Sequence, residues 1–257
     1  MRTNFGIQYI FIRLSMISMI TLLPQRGLYA SILCMTLACY TFSANAQSNP
    51  RENYIQQTGD YSDIYNGRIE TNYNVLQYEN LPYYISSEFA DATVVYRKNL
   101  YPGQKVRLDL FKEQLITLPP DKQYGVVVRS SDVDKVVVYN KTFLRLVPPE
   151  ESGLKPGYYL QLSEGKKIQL FCKNSYSLQQ QLLTYSFDLK VRYYLLYNNQ
   201  YYTVKNKASF SKLFTRYKKQ INQFAKDKQL NFSRDKEESL VSLSGYCEEL
   251  LTSSNTQ

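Results

Sequence analysis

The chain contains no histidine and no tryptophan. Without imidazole there is no Ser-His-Asp or Cys-His nucleophile pair, no histidine general base and no histidine metal ligand. Glycine is sparse, 10 in 257 residues. Neither G-x-x-x-x-G-K-[ST] nor G-x-G-x-x-G nor an EF-hand loop occurs, so no motif for cradling phosphate or calcium is present. The first 46 residues contain no acidic side chain. What is there is ordinary for a globular chain: 44% apolar and 21% charged residues, with 31 Lys+Arg against 22 Asp+Glu. The length suits one domain with a sizeable core.

The acid-free opening holds two apolar runs, residues 14–23 and 28–42, separated by Pro24-Gln25-Arg26-Gly27. The second reads as a secretory signal peptide. Arg26 supplies the positive start, residues 28–42 the apolar stretch, and Ala44-Asn45-Ala46 an A-x-A site, which places cleavage between Ala46 and Gln47. Each run is short of the roughly 20 residues of a spanning helix. Thr36-Leu37-Ala38-Cys39 approximates a lipobox, but Thr36 stands where such signals carry Leu. A tandem pair is unusual for a signal; it reads as an over-extended start, with an uncleaved hairpin anchor as the alternative. The expected destination is the periplasm or the outer membrane. Cleavage removes Cys34 and Cys39 and leaves Cys172 and Cys247, which in an exported chain form one disulfide or stay as two buried thiols.

Residues 47–60 are polar and aperiodic, a flexible leader. Residues 61–204 read as an antiparallel β body, with short apolar segments at 92–97, 105–111, 114–118, 124–129, 135–139, 142–147, 157–162, 166–173, 188–197 and 200–204. Ser163-Glu164-Gly165-Lys166 and Asn198-Asn199 mark hairpin turns, and Pro119-Pro120 and Pro148-Pro149 mark loops. Connections this short favour a meander over a parallel sheet. The period then changes. Phe210, Leu213, Phe214, Tyr217, Ile221 and Phe224 recur at helical spacing, with Ser209 as N-cap and a helix over 209–228. Asn231-Phe232-Ser233 breaks it, and Asp235 with Glu238 opens a second helix over 235–251 through Leu240, Leu243, Cys247 and Leu250. The fold class is therefore α+β: a β-meander body, a two-helix hairpin over 205–251 packed on it, and a disordered tail at 252–257.

Tyrosine is in excess, 25 residues, with doublets at Tyr83-Tyr84, Tyr158-Tyr159, Tyr193-Tyr194 and Tyr201-Tyr202. Strand alternation sends one ring of each doublet inward and one outward, and Tyr201 and Tyr202 of the late hairpin are candidate partner contacts. Residues 205–234 carry nine basic side chains and one acidic, whereas residues 235–257 carry one basic and five acidic. Lys212, Arg216, Lys218, Lys219 and Lys226 are the candidate binding face, part of which can pair with the acidic helix beside it. An envelope protein or an anionic envelope surface suits such a face, with peripheral membrane association; no nucleic-acid motif is present. Asp132/Asp134 and Glu150/Glu151 are carboxylate pairs of the kind a glycan hydrolase uses, but strand-entry turn chemistry and a solvated loop account for them. No catalytic, cofactor or metal residue is assigned.

Tyr65-Asn66-Gly67-Arg68-Ile69, Leu81-Pro82-Tyr83-Tyr84, Val94-Val95-Tyr96, Val106-Arg107-Leu108-Asp109-Leu110, Phe143-Leu144-Arg145-Leu146, Gly157-Tyr158-Tyr159, Tyr193-Tyr194 and residues 217–232 together resemble an uncharacterised family of exported envelope proteins common in Bacteroidota. The resemblance spans about residues 60–251 and departs where Leu81-Pro82-Tyr83 replaces a more usual Gly-His-Pro-Tyr. It implies export and a β-meander with C-terminal helices, and brings no activity. The expected function is non-catalytic binding or scaffolding of an envelope partner. The alternatives are a carboxylate-based glycan hydrolase and a purely structural, self-assembling envelope component.

Overall fold

The computed structural model describes residues 63–120 and 123–253. The expected signal, its Ala46/Gln47 cleavage point, the leader and residues 254–257 lie outside the described residues. Alternating apolar side chains build the strands: β2 (Ala90–Tyr96) buries Ala92, Val94 and Tyr96 and leaves Thr93 and Val95 half-buried. On one side of β2 lie β3 (Asn99–Asp109), β4 (Gln114–Leu118) and β5 (Val126–Val127), with β1 (Arg68–Ile69) pairing β5 at the edge. On the other side lie β6 (Val133–Val138), β7 (Lys141–Leu146), β8 (Gly157–Glu164), β9 (Ile168–Gln180), β10 (Tyr185–Tyr197) and β11 (Gln200–Val204). The described strands thus form one antiparallel sheet of eleven, two meanders growing outward from β2, in the α+β class. The strand expected over 124–129 shortens to Val126–Val127, with one flanking backbone bond on each side, from Glu70 N to Gly125 O and from Val128 N to Leu115 O.

Three hairpins turn on two residues in the left-handed region: Arg97-Lys98, Tyr139-Asn140 and Asn198-Asn199. Such turns match the right-handed strand twist, and glycine and then asparagine tolerate them best. Arg97-Lys98 has neither asparagine nor glycine and is held from outside. Arg97 Nε is 2.8 Å from Asp132 Oδ2, Lys98 N donates to Asp134 Oδ2 at 3.1 Å, and Lys98 Nζ pairs with Asp134 Oδ1.

One face of the sheet forms the main core, in which Val94, Leu108, Val136, Tyr158, Leu170 and Leu195 meet helical Phe210, Ile221, Leu240 and Leu243. The opposite face is covered in two places. Leu154, Tyr159, Phe171 and Tyr194 cluster over β7–β10, and Tyr83, Ile116 and Val127 over β3–β5. The doublets alternate as expected, but the ring expected outward is also inside: Tyr158 and Tyr159 are each 1% exposed, and Tyr193 and Tyr194 each 8%.

The helix expected over 209–228 is broken. α1 (Lys207–Leu213) ends at Phe214, whose φ of −108° and ψ of 61° leave the helix, and a 3-10 turn (Thr215–Tyr217) leads into α2 (Lys218–Asp227). The break turns Phe214 into the core against Tyr197, ring centroids 5.2 Å apart, while Ile221 reaches the same core from α2. The N-cap is Asn206 rather than Ser209: its side chain accepts from Ser209 N, and Ser209 Oγ accepts from Lys205 N. α3 (Lys236–Ser253) runs two residues beyond the expected end, taking Thr252 and Ser253 into the helix.

A single carboxylate ties α3 to the sheet. Glu248 accepts from Lys166 N (2.8 Å), Lys167 N (3.0 Å) and Ile168 N (2.8 Å), the donors of the β8–β9 turn. Gly165 permits this approach, since a Cβ there would lie 2.5 Å from Glu248 Oε2. Charge-assisted bonds to backbone donors are strong, so Glu248→Ala is expected to lower stability by about 2 kcal/mol in urea unfolding. Of the two readings for Cys172 and Cys247, the disulfide is not formed: both are free, buried thiols in the main core. Burial pushes each thiol up to about 12, which suppresses the reactive thiolate. Alkylation followed by mass spectrometry should label neither in the native protein and both in denaturant.

Candidate functional site

Helical geometry sorts the basic segment into two faces. Ile221 and Ala225 of α2 face the core, while Lys218, Lys219 and Lys226 are exposed, as are Lys212 on α1 and Arg216 in the 3-10 turn. None of these five has a carboxylate within 4.0 Å among the described residues. The acidic α3 therefore does not neutralise them, contrary to the pairing the charge pattern suggested. α2 meets α3 through stacked rings instead, Phe224 on Tyr246 with centroids 4.1 Å apart, and Glu248 is committed to the β8–β9 turn. Tyr201 and Tyr202 are half-buried. Tyr201 packs on the cluster around Phe171, and Tyr202 donates its hydroxyl to Gln200 Oε1 at 2.6 Å. The cations are presented to solvent, and the two rings are largely absorbed by β11.

The carboxylate pairs have structural work. Asp132 and Asp134 hold the strained Arg97-Lys98 turn, and Arg97 keeps Asp132 below its ordinary carboxylate value. Glu150 and Glu151 are exposed in a 3-10 turn (Glu150–Ser152) closed by Gly153 at φ 67°. Buried carboxylates lie elsewhere. Glu70 pairs with Arg107 and accepts from Tyr83 Oη at 2.9 Å. Asp109 accepts from Tyr73 Oη (2.8 Å), Phe111 N (2.9 Å) and Lys112 N (2.8 Å), and burial raises it above its ordinary value despite them. Among the described residues no group of three or more His, Cys, Asp or Glu side chains is placed to hold a metal ion.

Two features escape the linear sequence. The first is an arm. β9 and β10 pair over thirteen residues each, to Gln180↔Tyr185, whereas β8 stops pairing at Cys172 and β11 at Tyr193. Phe187 at its centre is buried under Tyr73, Tyr78, Phe111 and Tyr176. Leu182 and Leu183 at the tip are 102% and 91% exposed, and Leu178, Leu189 and Val191 are exposed on the face that carries Phe187. The outer side of β10 is closed by residues 77–80: Tyr185 N donates to Gln77 O, Glu79 N to Tyr185 O, and the Asn80 amide bonds both Phe187 N and Phe187 O. The outer side of β9 has no ladder partner between Asn174 and Gln180 among the described residues. The second feature is a cleft of about 600 Å³ lined by Arg68, Lys112, Arg129 and Arg145 from four separate segments. Strand alternation over 185–192 was a signal for the apolar face of the arm. Nothing in spacing connects the four cations of the cleft.

Since the exposed cations of α1 and α2 touch no internal partner, the triple variant K218E/K219E/K226E should unfold within about 1 kcal/mol of the parent in urea. Comparison with family models, with curated proteins and with solved structures gave no match.

Proposed function

We propose that this chain is an exported cell-envelope protein that acts by binding, and that its β9–β10 arm receives an extended segment of an envelope protein by strand addition. The observation that carries the reading is an exposed apolar face beside an open strand edge on one projecting element. The outward Tyr185 and Phe187 groups on β10 fix the register, so the N–H and C=O of Asn174, Tyr176, Leu178 and Gln180 point to the open side of β9. An added strand satisfies those groups and covers Leu178 and Leu189 with its own alternating side chains.

A lipid surface suits the arm less well, because unpaired backbone groups have no partner in hydrocarbon. No described helix is long and apolar enough to cross a membrane. Export rests on Arg26, the apolar stretch and the Ala44-Asn45-Ala46 site, together with the resemblance to exported Bacteroidota proteins. The unpaired cations of α1 and α2 favour a partner of opposite charge.

Leu178→Pro deletes one outward N–H that no internal bond uses, so it blocks strand addition while leaving the β9–β10 ladder intact. A photocrosslinker at Leu183 in cells should capture one distinct protein, through an extended segment, and L178P should cut that yield about tenfold or more with the thermal transition retained. Crosslinks solely between copies of this chain, or to lipid, or a yield unchanged by L178P, would overturn the reading.

A further inference from the structure

Beyond the arm, the geometry points to an anion-binding site: we propose that the cleft between β1, the β3–β4 turn, the β5–β6 connection and β7 binds a small phosphate-bearing ligand. Four cationic side chains line it, Arg68, Lys112, Arg129 and Arg145, and none has a carboxylate within 4.0 Å among the described residues. The one acid in the lining, Glu113, is already spent. Its Oε1 pairs with the buried Lys173 ammonium and its Oε2 accepts from Tyr158 N at 2.8 Å. Glu113 therefore does not offset the cations of the cleft, and like charges gathered in one place repel one another.

The two inner cations are fixed in advance. Lys112 Nζ donates to Thr71 O at 2.9 Å and lies 4.0 Å from the centre of the Tyr73 ring. Arg145 Nη1 donates to Leu146 O at 3.1 Å, with its guanidinium 5.5 Å from the Tyr158 ring. A side chain held by backbone and ring loses little freedom on binding. Donor capacity is left over beside the cleft. Arg145 Nε is buried with no acceptor among the described residues. Buried donors without acceptors are rare and costly, and a bound oxyanion would relieve the cost.

The choice of side chains narrows the ligand. Three of the four cations are arginines, whose planar fork matches the paired oxygens of a phosphate. A volume of about 600 Å³ lies within the usual range for small-molecule sites, so the group recognised is one or two phosphates on a compact carrier. Arg68 and Arg129 are exposed and would meet the ligand first, and Lys112 and Arg145 lie deeper. The same chemistry is presented by a soluble phosphate ester and by a phospholipid headgroup.

The test is calorimetric titration of the purified protein with inorganic pyrophosphate. Saturable binding is expected, weakening with added salt, and falling at least about tenfold in Arg129→Gln and in Arg145→Gln. Arg129 is exposed and unpaired, so its variant keeps the proposal testable if Arg145→Gln fails to fold. K218Q/K219Q, on a different surface, should bind as the parent does, and so should L178P, which separates this site from the arm. Sedimentation with phosphatidylglycerol–phosphatidylcholine vesicles distinguishes the sources: vesicle binding displaced by pyrophosphate and lost in R129Q assigns a headgroup, and pyrophosphate binding without vesicle binding assigns a soluble ester. Absence of any pyrophosphate binding, or binding unchanged in both arginine variants, would overturn the proposal.

Discussion

A sheet of eleven strands presents a long apolar face that it cannot cover by itself, and the rest of the structure follows from how that face is closed. Over β8–β11 it is closed by the C-terminal helices, through Phe210, Phe214, Ile221, Leu240 and Leu243. Burial of that size dominates the stability of such a domain. Hydrophobic contact has little direction, however, and the positioning falls to Glu248, which accepts the free donors of the β8–β9 turn from one side of α3. The same turn needs Gly165, because a side chain there would occupy the carboxylate's place. Ser244 of α3 adds a hydroxyl contact to Ser163 of β8 at 3.3 Å, so helix and hairpin are held at two points.

Inside the body two ionic pairs are shielded, while the cations of the cleft and of α1 and α2 have no carboxylate within 4.0 Å among the described residues. Glu70 with Arg107 and Glu113 with Lys173 are shielded pairs whose remaining atoms bond Tyr83, Ser87, Asn72 and Tyr158. Lys173 illustrates the balance: burial lowers it below the ordinary lysine value even with Glu113 opposing. Gly157 is required beside this pair, since a Cβ would meet Lys173 Nζ and Glu113 Oε2. Because the carboxylates nearest the cleft are consumed in this way, the cations of the cleft stay unmatched. The interior pairing thereby leaves a concentrated positive charge at the surface.

Much of the strand pattern was legible because a strand writes its burial locally, every second residue. β4 and β11 fall where the apolar segments and the Asn198-Asn199 turn place them. The Arg97-Lys98 turn was not legible, since its left-handed backbone is supported by Asp132 and Asp134 from another hairpin. Nor was the break at Phe214, which has no proline or glycine to announce it and serves a contact with Tyr197. The basic face on α1 and α2 could be read from composition, whereas its lack of a partner on α3 could not. Tyr201 and Tyr202 read as candidate partner contacts; Tyr201 packs on the Phe171 cluster, and both are half-buried.

By itself the sequence determined the α+β class, the antiparallel body, the terminal helices and the absence of histidine chemistry. These depend on residue type and on periods of two and 3.6, which short segments express on their own. Tertiary structure alone decided that β6 returns to pair with β2, that both rings of a tyrosine doublet are buried, and that β9 and β10 outrun their neighbours. It alone gathered Arg68, Lys112, Arg129 and Arg145 around one cleft. Each of these is set by which distant strands find each other, a free energy shared between segments that no single segment encodes.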